Sequence, residues 1–350
     1  MPDRDGQRAR QRRSSFFASC AAGLARLLRE QLEQIPGLEV TGTGSDGQAD
    51  YVLFDADREG RAEALRSRLA QDVFVEAGRT SRDGITDPGL LAGRCWRPDS
   101  VQRALSVWAE QVRPLSTSMT FGITARVQTG PRSLRAGLRG ALAAVIRRDR
   151  PRWRAASAPQ VHIWLSEWRD GQLVAGLRLG GNRPHDPAGP VEASAFVPSV
   201  AAAMVYLAGK AGGVLLDPCC GSGTILAEAL AAGWTAEGTD VHPASLAKAR
   251  RTAAGATVRE GDATEILEPD DAVGACVSGL PPIGPGDVLE PGWLTAALAE
   301  MSRITRTGGA VVLLTTDIPR QAIPGALRLR QQLPLRAAGG RETIWVFRRA

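Results

Sequence analysis

The spacing of apolar residues changes period along the chain, and each change marks an element. Leu24, Leu27, Leu28, Leu32 and Ile35 recur at helical spacing within residues 15–36, and Pro36-Gly37 ends the pattern. Short apolar runs then predict strands at Leu38–Thr41 and Tyr51–Phe54, a helix over Arg61–Leu69 and a strand at Asp72–Glu76. Residues 80–100 are rich in Gly, Pro, Asp and Arg and read as a linker. Beyond them come a helix near Val101–Val112, a strand at Met119–Val127 and a helix with Leu134, Leu138, Leu142 and Val145 on one stripe. Strands at Val161–Glu167 and Leu173–Arg178 follow, joined at Asp170-Gly171. After a helix at Ser199–Leu207, strands and helices alternate to about residue 319. Leu327–Arg330 and Thr343–Arg348, around Gly339-Gly340, predict a closing hairpin.

The most telling stretch runs from Val214 to Thr224. An apolar run ends in Asp217, and Pro218-Cys219-Cys220-Gly221-Ser222-Gly223 leads into the apolar helix from Thr224. A strand, a glycine turn and a helix N-terminus bring backbone N–H groups close to a ligand. Dinucleotide loops want a third glycine three residues after Gly223, where Leu226 stands. Asp217 would repel a pyrophosphate but can accept from an ammonium group, which suits S-adenosylmethionine (SAM). The next predicted strand, Thr235–Gly238, leads to Asp240, placed to accept both hydroxyls of a ribose. A third, Ala256–Arg259, leads to Gly261-Asp262-Ala263, where Asp262 can accept from an adenine amino group and Ala263 can donate through its N–H.

Composition sets bounds on this picture. The 350 residues are 43% hydrophobic and 23% charged, ordinary for a folded domain pair or trio. Neither an apolar run of about 18 residues nor a signal-peptide pattern is present, so no membrane segment or secretion is expected. Five scattered cysteines without C-x-x-C spacing, and three histidines, argue for reduced thiols in a cytoplasm and against a metal site. Charge is segregated. Residues 1–184 carry 29 Lys/Arg against 20 Asp/Glu, whereas residues 185–350 carry 14 against 17. The first part is therefore expected to meet a polyanion and the second to hold the chemistry. Trp153, Trp164 and Trp168 read as packing residues rather than base-stacking platforms.

Asp217 through Ile225, Gly238-Thr239-Asp240 and Gly261-Asp262-Ala263 together resemble the class I methyltransferases that modify RNA guanines. Phe196-Val197-Pro198-Ser199-Val200-Ala201 looks like the segment just before their cofactor motif. Phe121 to Arg126, the arginine-bearing helix and the strands around Trp164 and Leu177 are similar to a THUMP domain, and residues 15–76 to the ferredoxin-like domain that precedes it. The basic, polar residues 1–14 read as a disordered tail, and the resemblance implies a ferredoxin-like domain (15–80), a THUMP domain (81–184) and a Rossmann-like α/β methyltransferase domain (185–350) with a mainly parallel seven-stranded sheet. It implies a SAM site formed by Phe196, Pro198, Asp217, Pro218, Cys219, Gly221, Ser222, Gly223, Thr224, Asp240, Val241, Asp262 and Ala263. It further implies methyl transfer to the 2-amino group of a guanosine in tRNA or rRNA, with no DNA partner. Arg126, Arg132, Arg135 and Arg139 have the spacing to gather guanidinium groups against phosphates.

One motif departs from that family. Its members carry Asn or Asp, then Pro or Leu, then Pro, then an aromatic residue after the fourth strand. Here the catalytic positions read Gly279-Leu280-Pro281-Pro282. Three readings follow: backbone carbonyls of Gly279 and Leu280 suffice, with Ser278 or Asp287 as substitute acceptor; the methyl acceptor differs from guanine; or the chain holds RNA and SAM with weak or no turnover.

Overall fold

The computed structural model describes residues 14–127, 132–180, 197–281, 292–337 and 340–350, in two compact units, Met1–Asp186 and Pro187–Ala350. In the first unit Phe16 to Cys20 are all buried, which makes Ser14–Ala21 a strand, β1, buried on both faces. The helix expected over residues 15–36 is therefore shorter. It is α1, Ala25–Leu32, and it begins where the helical spacing does, with Leu27, Leu28 and Leu32 inward. There follow β2 (Leu38–Ser45), β3 (Ala49–Ala56), α2 (Arg58–Ala64) and β4 (Asp72–Ser81).

Residues 80–100 are not a linker. They contain α3 (Pro88–Cys95) and the start of α4 (Pro98–Gln111). The Asp87 side chain accepts from the N–H of Gly89 at 2.7 Å, Pro88 opens the helix, and Leu91, Ala92 and Cys95 are buried. Turn-forming residues here cap helices that are too short to show a clear period. The unit closes with β5 (Thr120–Arg126), α5 (Arg132–Asp149), β6 (Arg154–Ala155), β7 (Val161–Glu167) and β8 (Gln172–Gly180). On α5, Leu134, Leu138, Leu142 and Ile146 are the buried stripe, while Val145, expected there, is half-buried one step round the helix. All eight strands share one sheet, in the order β2-β3-β1-β4-β8-β7-β5-β6. Antiparallel pairing of β4 with β8 runs the sheet continuously through the two expected N-terminal modules.

The second unit is α/β, as expected. Its elements are α6 (Pro198–Ala208), β9 (Val214–Asp217), α7 (Thr224–Ala231), β10 (Thr235–Asp240), α8 (Pro243–Thr252), β11 (Thr257–Glu260), β12 (Val273–Gly279), α9 (Trp293–Ile304), β13 (Thr305–Thr315), β14 (Leu327–Ala337) and β15 (Gly340–Arg349). The sheet order is β11-β10-β9-β12-β13-β15-β14, parallel except that β15 runs against both neighbours. One face packs Leu216, Cys276, Val311, Leu313 and Phe347 against Ala297, Leu298, Met301 and Ile304 of α9. The chain steps outward from β9 to β10 and β11, then returns to the other side of β9 as β12. That reversal puts the crevice for a ligand at the carboxyl ends of β9, β10 and β12.

Candidate functional site

Asp217 closes β9 at that crevice and is buried. Its Oδ1 accepts from the Ser278 hydroxyl at 2.7 Å and from the Cys219 N–H at 3.2 Å. Burial pushes its carboxyl up to about 7; the two hydrogen bonds oppose that rise and the charge of Asp240 adds to it. The donors seen on it are neutral, so a cation brought beside it would favour its ionised form.

The glycine turn is held by backbone geometry. Gly221 and Gly223 have φ of +51° and +83°, and Gly223 precedes the first residue of α7. A Cβ on Gly223 would lie 2.8 Å from the Cα of Ala249, so α7 and α8 meet only over glycine. The N–H of Cys220 donates to the Thr239 carbonyl at 2.8 Å, and the Thr239 hydroxyl to the Pro218 carbonyl at 3.2 Å. Thr239, a positioning residue that sequence reading missed, thus ties the loop to β10.

Asp240 ends β10 one strand away. One carboxylate oxygen accepts from the Gly221 N–H at 2.9 Å and the other from the His242 N–H at 2.8 Å. Both oxygens are fixed and keep lone pairs for a diol. Val241 beside it is 52% exposed, an apolar surface next to a fixed carboxylate. Asp262 is exposed after β11, and one oxygen accepts from both the N–H and the hydroxyl of Thr264 at 2.8 Å. Ala263 is buried in the core. Ser222 and Thr224 place their hydroxyls 3.3 Å apart at the start of α7. Pro198 is exposed at the start of α6, and Phe196 lies outside the described residues.

Ser278, expected as a substitute acceptor, is fully buried, and its hydroxyl is committed to Asp217. Gly279 is the last residue of β12; Leu280 is buried, and its N–H donates to the Leu314 carbonyl at 3.0 Å. Pro281 is half-buried, while Pro282 and Asp287 lie outside the described residues. Burial pushes the thiols of Cys219, Cys220 and Cys276 upward, so none is a ready nucleophile.

In the first unit, Arg126 stands apart from the idea of a free phosphate contact. Its guanidinium lies 3.5 Å from the buried Asp46 and over the ring of Trp164 at 4.7 Å. Asp46 also accepts from the Tyr51 hydroxyl at 2.7 Å and the Ser166 hydroxyl at 3.3 Å. Arg139 is exposed on α5; the side chains of Arg132 and Arg135 lie outside the described residues. Trp153 and Trp168 are buried, and Trp168 stacks on Tyr51. Arg152 and Arg154, exposed and without an ion pair among the described residues, line a cleft of about 540 Å³ with Ser118, Thr120 and Gln160. No helix among the described residues is long and apolar enough to cross a membrane, and none of their acidic, Cys or His groups forms a metal-holding cluster.

Residues 215–309 match the family described as the Methyltransferase domain. The second unit is therefore a Rossmann-like methyltransferase domain. Over the whole chain the fold is similar to that of TrmN from Thermus thermophilus, with a TM-score of 0.70, 21% identity, and coverage of 96% of this chain and 99% of that one. It is also similar to SMU.472, solved in complex with SAH, with a TM-score of 0.63, 15% identity, and coverage of 97% and 99%. In sequence it is 34% identical over 154 residues to the U6 snRNA (guanine-N(2))-methyltransferase THUMPD2 of Bos taurus; the match spans 41% of this chain and 29% of that relative. The resemblance to THUMP-class methyltransferases is borne out by these likenesses.

Proposed function

We propose that the chain is a SAM-dependent RNA methyltransferase acting on the exocyclic 2-amino group of a guanosine. The carrying observation is the linked pair of strand-end acids: Asp240 holds the Gly221 N–H of the glycine turn, and Asp217 lies buried behind the same turn. The donor set fits SAM. Asp217, with neutral donors only, suits the ammonium; Asp240, held by two N–H groups, suits the ribose hydroxyls; the exposed Val241 suits one face of the adenine. SAM bound there would supply an electrophilic methyl group at the open edge beside Gly279.

The choice of guanosine N2 is supported by the named activity of the mammalian relative, and RNA as partner by the positive charge of residues 1–184. Within the first unit, Arg139, Arg152 and Arg154 are exposed cations that suit phosphates, whereas Arg126 serves the Asp46 cluster. The guanine amino group is a weak nucleophile because its lone pair is delocalised into the ring. The protein must hold it, strip it of water and accept its proton. A second reading, an RNA-binding protein with a weak or inactive SAM site, is favoured by one observation: Ser278 is spent on Asp217 and position 279 has no side chain.

Transcripts carrying guanosine or inosine test the reading, because inosine lacks only the 2-amino group. Label from methyl-labelled SAM enters the guanosine transcript and not the inosine one. Equal labelling of both, or calorimetric SAM binding with no labelling of either, contradicts it.

A further inference from the structure

A purine amino group that is to be alkylated must be held by an acceptor, and the end of β12 offers no side chain for it. The neighbouring strand does. Gly279 pairs with Leu314, and the Leu280 N–H donates to the Leu314 carbonyl, so the chain leaving β13 emerges beside the chain leaving β12. Adjacent strands lie about 4.8 Å apart. The pairing ends at Gly279 and Leu314; β13 runs one residue further to Thr315, the chain bends at Thr316, and Asp317 follows three residues after Leu314.

Three observations mark this segment. Ile318 is 4% exposed and belongs to the same core cluster as Leu280, which anchors the chain after β13 in that core. Thr315 is 4% exposed, and its hydroxyl has no hydrogen-bond partner among the described residues, an unsatisfied polar group at the carboxyl end of β13. Thr316 and Asp317 between them are exposed, and the Asp317 carboxylate has no hydrogen bond or ion pair among the described residues. An exposed carboxylate without a partner among the described residues thus follows the strand that neighbours β12, whose end bounds the ligand crevice.

Resting on the function proposed above, we infer that Asp317 is the acceptor that holds the guanine amino group, in place of the side chain missing at Gly279. In the transfer the amino nitrogen bonds to the methyl carbon and the sulfonium sulfur keeps the electron pair of the broken carbon–sulfur bond. The proton displaced from nitrogen passes to the Asp317 carboxylate and then to water.

The test uses the full chain, its Asp317→Ala variant and the Asp317→Ala/Gly279→Asn double variant. Labelling of guanosine transcripts is read alongside transcript binding in the presence of S-adenosylhomocysteine. The wild type binds the guanosine transcript about tenfold more tightly than the inosine one. Asp317→Ala loses that preference and about 100-fold in kcat, with SAM affinity unchanged, and adding Gly279→Asn restores preference and rate. An Asp317→Ala protein with wild-type rate and preference overturns this inference alone. A wild type that binds SAM and labels neither transcript overturns the proposed function and this inference together.

Discussion

Ser278 and Asp217, 61 positions apart in sequence, are joined by a 2.7 Å hydrogen bond in which the serine hydroxyl donates to a buried carboxylate. The bond fastens the end of β12 to the end of β9 at the point where the strand order reverses. It shows why a small hydroxyl residue, not an amide or an acid, precedes Gly279. Removing it as Ser278→Ala is expected to cost about 1.5–3 kcal/mol of stability at pH 8, where Asp217 is ionised. Urea unfolding measures this, and an unchanged midpoint would mean that the bond contributes nothing.

The same carboxylate predicts a pH dependence. An unfolded aspartate ionises near 3.8, whereas burial raises Asp217 to about 7. Between those values the folded protein keeps a proton that the unfolded chain releases. This group's contribution to stability is therefore greatest below 3.8 and declines as pH rises through about 7. Binding an ammonium needs the ionised form, so SAM affinity rises about tenfold per pH unit below 7 and levels off above it. Calorimetry in buffers of different ionisation enthalpy should detect one proton released per SAM at pH 6. Affinity that is flat from pH 5.5 to 8 would detach Asp217 from the ligand.

Asp240 has a different task, because its two oxygens are already held by Gly221 and His242. Asp240→Ala removes both the acceptors for the ribose and the tie on the glycine turn. SAM affinity is expected to fall by at least about 100-fold, the equivalent of two hydrogen bonds to a charged group. A SAM dissociation constant equal to that of the wild type would mean that the ribose lies elsewhere.

Arginines that look alike in sequence divide by their partners. Arg126 lies against Asp46 and over Trp164, so Arg126→Ala should destabilise the first unit, shown by a lower urea midpoint, and leave the salt dependence of RNA binding intact. Arg152→Ala and Arg154→Ala, at exposed positions, should do the reverse, each flattening the salt slope of log affinity by about 1 if it contacts one phosphate. Filter binding across a salt series separates the two, and an unchanged slope in both exposed variants would remove the cleft from the RNA surface.

What could be read in advance follows from how local each signal is. The glycine turn and Asp217 are legible because a strand end, a turn and a helix start fall within ten residues, and Asp240 because it closes the next short strand. The α/β order of the second unit was legible for the same reason. Partnerships across sequence were not. Ser278 reads in sequence as an acceptor for substrate because nothing local shows its hydrogen bond to Asp217, and Thr239, though part of the Gly238-Thr239-Asp240 motif, gives no local sign that it ties the loop to β10. Phe16 and Phe17 were folded into a helical pattern because a strand buried on both faces has no alternation to display. Residues 80–100 misled in the opposite sense: Asp87 and Pro88 are helix-starting residues, and composition alone made them a linker.

The central claim is that this chain moves a methyl group from SAM to guanosine N2 in RNA. Its most direct test is incubation of the full chain with labelled SAM and total RNA from cells lacking the gene, followed by mass spectrometry of the digested nucleosides. The account predicts labelled N2-methylguanosine, absent with Asp240→Ala. RNA without label, from a protein that binds SAM in the same buffer, would contradict it.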